Sequence, residues 1–262
     1  MVNPIAPDAP ARPSHAGVAA AIGRGLLIGL AALFVTFAPE VGPGPRSGAP
    51  AAAITPARAS QRMARHADFG AYDVSADARY IADWIADSGD NAGAAFIIVD
   101  KRAATAQVFD AQARLRGSTR ILLGAARGDD SVTNIGTRPI ADVRPEERTT
   151  PAGRFVAQIG RNALGEDVVW VDYGAAISMH RVRTTNPGER RLQRLATPQS
   201  ADKRISYGCI NVPVEFFDEF IRPVFAERRA VIYVLPEVKD LRQVFGSYAV
   251  ASVHPLGPQS LR

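Results

Sequence analysis

Two helical stripes frame a series of short β-rich runs along this chain. Apolar residues recur at three- and four-residue spacing in residues 75–89, where Ser75 suits the N-cap and Gly89 suits the end. This segment is predicted to be a helix. Residues 213–225 repeat the spacing with four apolar positions, and Pro213 fits a first turn, so they are predicted to form a second helix.

Between and after these helices, runs rich in β-branched residues are bounded by Gly, Pro or Asp. The predicted strands are residues 94–100, 105–110, 120–126, 153–160, 167–174, 175–182 and 230–236. The first two flank a short polar segment and are predicted to pair as a hairpin. Short strands at this density predict a mostly β fold, a β-sandwich or barrel with a few short helices.

The N-terminal segment is unlike the rest. Arg12 and Arg24 precede an apolar run over residues 26–38, which has the length of a secretory h-region and is shorter than the roughly 20 residues of a membrane-spanning helix. Residues 1–38 are therefore predicted to be a signal peptide or a signal anchor. The protein is expected to be exported to the periplasm or cell envelope, with membrane contact only through that anchor.

The predicted organisation after the leader has three parts. Residues 39–70 form a Pro/Ala/Gly-rich tether, residues 71–240 form the main domain with its core at 94–236, and residues 241–262 form a tail. The composition, 47% hydrophobic and 22% charged over 262 residues, is that of a globular protein. The net charge is +5, of which +2 lies in the first sixty residues, and the remainder is too weak to indicate a nucleic-acid partner.

Cys209 is the single cysteine of the sequence. In an oxidising compartment a lone thiol is shielded, joined to another molecule, or kept for its reactivity. Zinc is not expected, because the sequence has no second cysteine, no H-E-x-x-H motif and no histidines at ligand spacing. We therefore expect neither a metal nor another cofactor.

A reactive cysteine needs a base or a positive charge beside it. His15 lies in the leader, His66 at the edge of the tether and His254 in the tail, whereas His180 ends a β-rich run inside the domain. A histidine at a strand end can also be structural. Because Cys209 is the one thiol of a chain that is expected to be exported, His180 is the candidate base for it.

The segment I-S-Y-G-C-I-N-V at residues 205–212, with His180 before it and T-T-P-A-G-R-F at residues 149–155, resembles the catalytic domain of the L,D-transpeptidase (YkuD-type) family. The resemblance covers about residues 94–236 and implies an L,D-transpeptidase-like β fold. It implies Cys209 as the nucleophile and His180 as its base. It further implies that the turn around the thiol, with its oxyanion support, is shaped by Ser206, Tyr207, Gly208 and Asn211.

The activity that the resemblance implies is a cysteine-dependent L,D-transpeptidase acting on peptidoglycan stem peptides, with acyl transfer through a thioester. Two alternatives stay open: an L,D-carboxypeptidase on the same substrates, and a catalytically silent cell-wall-binding module. Two features depart from the family pattern. Tyr207 stands where many members have a second histidine, and the spacer of 25 residues between His180 and Ser206 is longer than usual.

That spacer is strongly basic. Residues 181–204 carry seven cationic side chains against two carboxylates, a local balance of +5. Such a run is usually a solvated loop. Because it connects the candidate base to the candidate nucleophile, we also consider that some of its cations face the cleft and bind the carboxylates of the acyl donor. The candidates for this role are Arg190, Arg191 and Arg194.

Overall fold

The computed structural model describes residues 63–226 and 229–251. The predicted signal segment 1–38, residues 39–62 of the predicted tether and residues 252–262 of the predicted tail lie outside the described residues. Within the described ranges, no helix has the length and apolar character needed to cross a membrane.

The described residues form a mostly β domain with a few short helices, which confirms the predicted fold class. The strands are β1 (Phe96–Asp100), β2 (Thr105–Phe109), β3 (Leu115–Arg120), β4 (Leu123–Gly124), β5 (Gly153–Arg161), β6 (Asp167–Asp172), β7 (Ile177–Arg181), β8 (Arg204–Ser206), β9 (Ile210–Val212) and β10 (Ala230–Val234). The α-helices are α1 (Ala76–Ser88), α2 (Arg191–Ala196), α3 (Val214–Phe216), α4 (Arg222–Ala226) and α5 (Leu241–Phe245). A π-helix (Phe217–Ile221) joins α3 to α4, and 3-10 helices cover Ile135–Thr137, Ile140–Asp142, Pro145–Glu147, Pro187–Glu189 and Ser200–Lys203.

Helix α1 begins and ends where the sequence predicts. The Ser75 hydroxyl accepts a hydrogen bond from the Ala78 N–H at 3.0 Å, and Gly89 ends the helix in the left-handed conformation with its N–H bonded to Ile85 O. The apolar stripe packs against the sheet, and Ile81 and Ile85 are fully buried. The stripe is therefore core packing.

Eight strands form one mixed sheet in the order β3-β2-β1-β10-β5-β6-β7-β9. The predicted hairpin is present as the antiparallel pair β1/β2. Two pairs are parallel, β1 with β10 and β7 with β9, while β4 and β8 form a separate parallel pair. The pairing of β7 with β9 matters most for the candidate site, because His180 lies on β7 and Cys209 immediately precedes β9.

The two edges of the sheet meet. The chain leaves edge strand β3 and at Leu122 exchanges two backbone hydrogen bonds, both 2.9 Å, with Asn211 of the opposite edge strand β9. The inner face of the sheet surrounds a core that the helices after β9 fill with Phe217, Ile221 and Phe225. A second core lies between β1, β10 and α1. The sheet is thus nearly closed, and the join lies beside Cys209.

Some predicted strands differ from those observed. The run at 120–126 forms only the short β4, and the strand before it, β3, is at Leu115–Arg120. The sequence of β3 has few β-branched residues, and its Gly117 fits because a side chain there would meet the Phe220 ring at 2.8 Å. Pro213 stands just before the first helical residue rather than within the first turn.

The boundaries at 71 and 240 stay predictions, although packing continues on both sides of them. Before residue 71, Phe69 is buried in the core around α1, with its ring 6.0 Å from that of Phe109. In the segment assigned to the tail, α5 places the Phe245 ring 6.4 Å from that of Trp84 and 5.9 Å from that of Tyr233. These rings extend the second core.

A buried ion pair connects loops on the site side of the sheet. The Lys101 ammonium, 1% exposed, donates to Asp129 Oδ1 at 2.7 Å and to the carbonyl oxygens of Gly128 and Thr150 at 2.5 and 2.9 Å. Burial lowers the pKa of Lys101. Burial also acts to raise the pKa of Asp129, but hydrogen bonds from Lys101 and three backbone N–H groups outweigh it and lower that pKa to about 2.

Replacing Lys101 with Met leaves the Asp129 carboxylate buried without its ammonium. We expect the free energy of unfolding, measured in urea, to fall by about 3–5 kcal/mol. Lys239→Met is the matched control, because Lys239 pairs with Asp130 at 2.5 Å on the surface, and we expect a loss below about 1 kcal/mol. Equal losses in the two variants would contradict a structural role for the buried pair.

Candidate active site

The candidate base lies on β7, and the candidate nucleophile immediately precedes β9, the parallel neighbour of β7. In the register of β7 and β9, Met179 is opposite Ile210 and His180 is opposite Asn211, which places Ser178 level with Cys209. Side chains alternate across a strand, and Met179 and Ile210 point into the core. Ser178, His180, Cys209 and Asn211 therefore share the other face.

The Cys209 thiol is half-buried among polar groups. The Ser178 hydroxyl donates to the sulfur at 3.6 Å, and the thiol faces the Ala176 carbonyl at 3.7 Å. Burial alone would raise the pKa of the thiol. The hydrogen bond and positive charge of His180, together with the N–H and hydroxyl of Ser178, outweigh burial and lower the pKa below its ordinary value.

The His180 ring is held in one orientation by the backbone. Its Nδ1 lies 2.8 Å from the Arg181 carbonyl oxygen, which can only accept, so Nδ1 carries a proton and donates. In the neutral ring Nε2 is then the nitrogen that can take a proton from the thiol. His180 also borders a cavity of about 260 Å³ lined by Glu166, Asp167, Arg181, Val182, Arg183 and Val214.

The turn before Cys209 needs glycine at residue 208. Gly208 has φ +125°, and a Cβ there would lie 2.6 Å from Ile177 Cδ1 and 2.7 Å from the Thr149 carbonyl oxygen. The Gly208 carbonyl accepts a hydrogen bond from the Thr150 hydroxyl at 2.8 Å, and that hydroxyl accepts one from the Gly124 N–H at 2.9 Å. Neighbouring backbone therefore fixes the turn closely.

The carbonyl of Cys209 is bound by two side chains. Ser206 Oγ donates to it at 2.6 Å and Asn211 Nδ2 donates at 3.3 Å. Ser206 Oγ also accepts from the Gly208 N–H at 3.1 Å, so that N–H is already engaged and is not oriented toward an oxyanion. Ser206, Gly208 and Asn211 thus surround the thiol turn as the motif implies, while their catalytic contribution stays a prediction.

Tyr207 lies on the surface of the same turn. Its side chain is 40% exposed, and the Arg148 guanidinium lies 4.0 Å from the ring centroid. Such a cation–π contact fixes the ring and places a positive charge beside the turn.

The basic spacer is folded and largely neutralised. Four of its seven cations are in ion pairs within the described residues: Arg181 with Asp218, Arg183 with Glu166, Arg191 with Glu189, and Arg204 with Glu237. Arg194 and Lys203 donate to carbonyl oxygens of the spacer itself. Its local excess of positive charge is therefore far less available to a ligand than the sequence alone implies.

The three arginines chosen from the sequence have different surroundings. Arg191 donates to Asn211 Oδ1 beside the nucleophile turn. Arg194 donates to the carbonyl oxygens of Glu189 and Asp202, both at 2.9 Å. Arg190 is exposed, and its side chain has no partner in the described part of the chain.

Arg190 and Arg194 border a cavity that is separate from the thiol. It has a volume of about 170 Å³, and its other lining residues are Gln193, Thr197 and Asp202. Neither Cys209 nor His180 lines it. The structure thus brings only Arg191 of the three into contact with the candidate site.

Two residues of the site were missed from the sequence. Ser178 stands two positions before His180, and strand alternation places both on one face, so the signal was present in the β7 pattern. Thr150 belongs to the T-T-P-A-G-R-F segment, but its bond to Gly208 joins residues 58 positions apart, which spacing alone does not predict.

Comparison with known proteins gives structural neighbours only. No family model matches the sequence, and no curated protein matches it. The similar solved structures include the helical cell shape determining protein Pgp2 from Campylobacter jejuni (13% identity, TM-score 0.38, 64% of this chain and 56% of that chain), an L,D-transpeptidase from Mycobacterium smegmatis (15%, 0.31, 54% and 58%), and the catalytic domain of the Enterococcus faecium L,D-transpeptidase (18%, 0.29, 54% and 96%).

The match covers a little more than half of the Pgp2 chain. At TM-scores below 0.5 these likenesses do not support an inference about function. The geometry of the site and the motif that contains Cys209 are the observations that bear on function.

Exchanging Gly208 for Ala tests whether the turn is constrained. We expect backbone strain alone to lower the free energy of unfolding by about 1–3 kcal/mol, and the Ile177 and Thr149 contacts to displace the thiol and slow its alkylation. Gly165→Ala is the matched control, because Gly165 also has positive φ but no atom within 4 Å of the position that a Cβ would take. Unchanged alkylation in Gly208→Ala would show that the turn does not position the sulfur.

The pH dependence of thiol alkylation tests the pairing of Cys209 with His180. In the native protein we expect a midpoint below the ordinary thiol value of about 8.5. In His180→Gln the midpoint moves upward, because burial, which raises the pKa of the thiol, is no longer opposed by the imidazolium. His66→Gln, which changes a histidine outside the site, is the control, and an unshifted midpoint in His180→Gln would make His180 structural.

Proposed function

We propose that this chain is an exported, cysteine-dependent L,D-transpeptidase that acts on peptidoglycan stem peptides. The observation that supports it most is the placement of His180 and Ser178 on one strand beside the Cys209 thiol, which immediately precedes the next strand, with the pKa of that thiol lowered. This is the arrangement that nucleophilic catalysis by cysteine requires. The substrate class follows from the resemblance of residues 205–212 to the family motif.

In the first half-reaction His180 Nε2 takes the proton from Cys209 Sγ. The carbonyl of Arg181, which accepts from Nδ1, stabilises the imidazolium that forms. The thiolate attacks the carbonyl carbon that precedes the terminal D-alanine. The bond to the D-alanine nitrogen then breaks, His180 returns the proton to that nitrogen, and the acyl group stays on the sulfur as a thioester.

In the second half-reaction an amine of another stem peptide attacks the thioester. The amine nitrogen bonds to the acyl carbon and loses a proton to His180. The carbon–sulfur bond breaks, and His180 returns the proton to the sulfur. The new amide bond is the cross-link. With water in place of the amine the same steps give an L,D-carboxypeptidase. The acceptor therefore decides between these two activities.

Oxyanion stabilisation is part of this proposal. The Gly208 N–H is occupied by Ser206 Oγ, so a developing oxyanion needs another donor. Tyr207, two residues before Cys209 and under the Arg148 guanidinium, is the residue that we assign to this role. The positive charge of Arg148 favours hydrogen-bond donation from the Tyr207 hydroxyl to an anion.

Recruitment of the acyl donor by the basic spacer is proposed mainly for Arg190. Its guanidinium is exposed and has no partner among the described residues, whereas Arg194 is engaged by backbone carbonyl oxygens. An exposed cation near a cleft attracts the carboxylates of stem peptides, and salt weakens that attraction.

Incubation of the purified chain with muropeptides, followed by mass analysis of the products, tests the proposal. We expect cross-linked dimers, and we expect Cys209→Ala to reduce their formation by more than roughly a thousandfold. A near-ultraviolet circular dichroism spectrum that matches the native protein would show that Cys209→Ala retains the fold. Products trimmed by D-alanine without dimers would indicate a carboxypeptidase, and unaltered muropeptides would indicate the wall-binding alternative.

A further inference from the structure

The spacer between His180 and Ser206 is a packed unit. Leu195 of α2 is buried against Leu122, next to the join between the sheet edges. Lys203 is 1% exposed and donates to the Thr197 carbonyl and hydroxyl at 2.6 and 2.8 Å and to the Arg194 carbonyl. A segment with its own apolar contact and a buried, hydrogen-bonded ammonium holds a defined conformation. A side chain on it can therefore hold a neighbouring residue in one orientation.

Arg191, the first residue of α2, connects this unit to the nucleophile turn. Its NH1 donates to Asn211 Oδ1, and its Nε donates to Glu189 Oε2 at 2.5 Å. The side chain is 14% exposed. Because Glu189 neutralises the guanidinium and little of it reaches solvent, Arg191 is poorly placed to attract a substrate carboxylate.

The contact with Arg191 determines which way the Asn211 amide points. In the observed orientation Oδ1 accepts from Arg191 while Nδ2 donates to the Cys209 carbonyl at 3.3 Å. A flipped amide would face the guanidinium with its own donors and the Cys209 carbonyl with its oxygen, so both hydrogen bonds would be lost. Asn211 is fully buried, and water therefore does not compensate that loss.

We propose that Arg191 is a positioning residue for the candidate nucleophile. By fixing the Asn211 amide, it keeps a second donor on the Cys209 carbonyl beside that of Ser206, and so holds the sulfur against Ser178 and His180. The spacer then acts on the thiol through hydrogen bonds. This inference deepens the role of the candidate site but does not depend on the proposed substrate, because its consequence is the reactivity of the thiol itself.

The test compares thiol alkylation in Arg191→Gln and Arg116→Gln. Both changes remove one positive charge, but only Arg191 contacts Asn211, whereas the exposed Arg116 side chain lies 3.9 Å from Asp110, outside the candidate site. We expect the second-order rate constant at pH 7 to fall about tenfold in Arg191→Gln, corresponding to the loss of a hydrogen bond in the positioning chain. We also expect the alkylation midpoint to rise. Arg116→Gln should keep the native profile.

Two further variants keep the test decisive if Arg191→Gln is poorly folded. Arg191→Lys retains a donor for Asn211 Oδ1 and should recover part of the lost rate. Asn211→Ala removes the other half of the connection, and adding Arg191→Gln to it should reduce the rate no further, because the two residues act in one chain.

A native pH profile in Arg191→Gln, or independent and multiplicative effects of the Arg191 and Asn211 changes, would overturn the inference. Equal losses in Arg191→Gln and Arg116→Gln would do the same, since they would indicate a general effect of charge. Failure of the proposed transpeptidase activity with muropeptides would leave these alkylation results unaffected, so the two proposals can fail separately.

Discussion

The pairing of Leu122 with Asn211 joins the two edges of the sheet and also builds the candidate site. The backbone of Asn211 bonds to Leu122, its register places it opposite His180, and its side chain binds the carbonyl of Cys209. Polar groups in such a buried place need partners, and here each partner is a different part of the chain. Closure of the sheet and placement of the candidate nucleophile therefore depend on the same residue, Asn211.

The turn that presents the thiol depends on a second set of buried contacts. Lys101 binds the Thr150 carbonyl, and the Thr150 hydroxyl binds the Gly208 carbonyl, so an ion pair with Asp129 is two hydrogen bonds away from the residue before the nucleophile. The desolvation of such a buried pair offsets much of its attraction, whereas loss of one partner leaves an uncompensated buried charge. The network suits a site that needs one fixed turn.

Electrostatics and packing act in opposite directions on the sulfur. Burial favours the neutral thiol, whereas His180 and Ser178 favour the thiolate, and the latter prevail. Small displacements change this balance, since hydrogen bonds to sulfur weaken quickly with distance and angle. Ser206 and Asn211, which both donate to the Cys209 carbonyl, hold the turn on which this balance depends.

Local patterns in the sequence determined the elements: the capped helix after Ser75, the hairpin of β1 and β2, the mostly β character, and Cys209 and His180 as a candidate pair. The helix, the hairpin and the β character depend on neighbours in the chain, whereas Cys209 and His180 were selected from the few cysteine and histidine residues and from the motif. The partners of the basic spacer, the Thr150–Gly208 contact and the closure at Leu122 were decided only by the tertiary structure, because they join residues far apart in sequence. The charge of residues 181–204 indicated a solvated loop and left a role in ligand binding open. The fold directs Arg191 to Asn211 and Arg194 to backbone carbonyl oxygens, since buried donors must find acceptors wherever the fold supplies them.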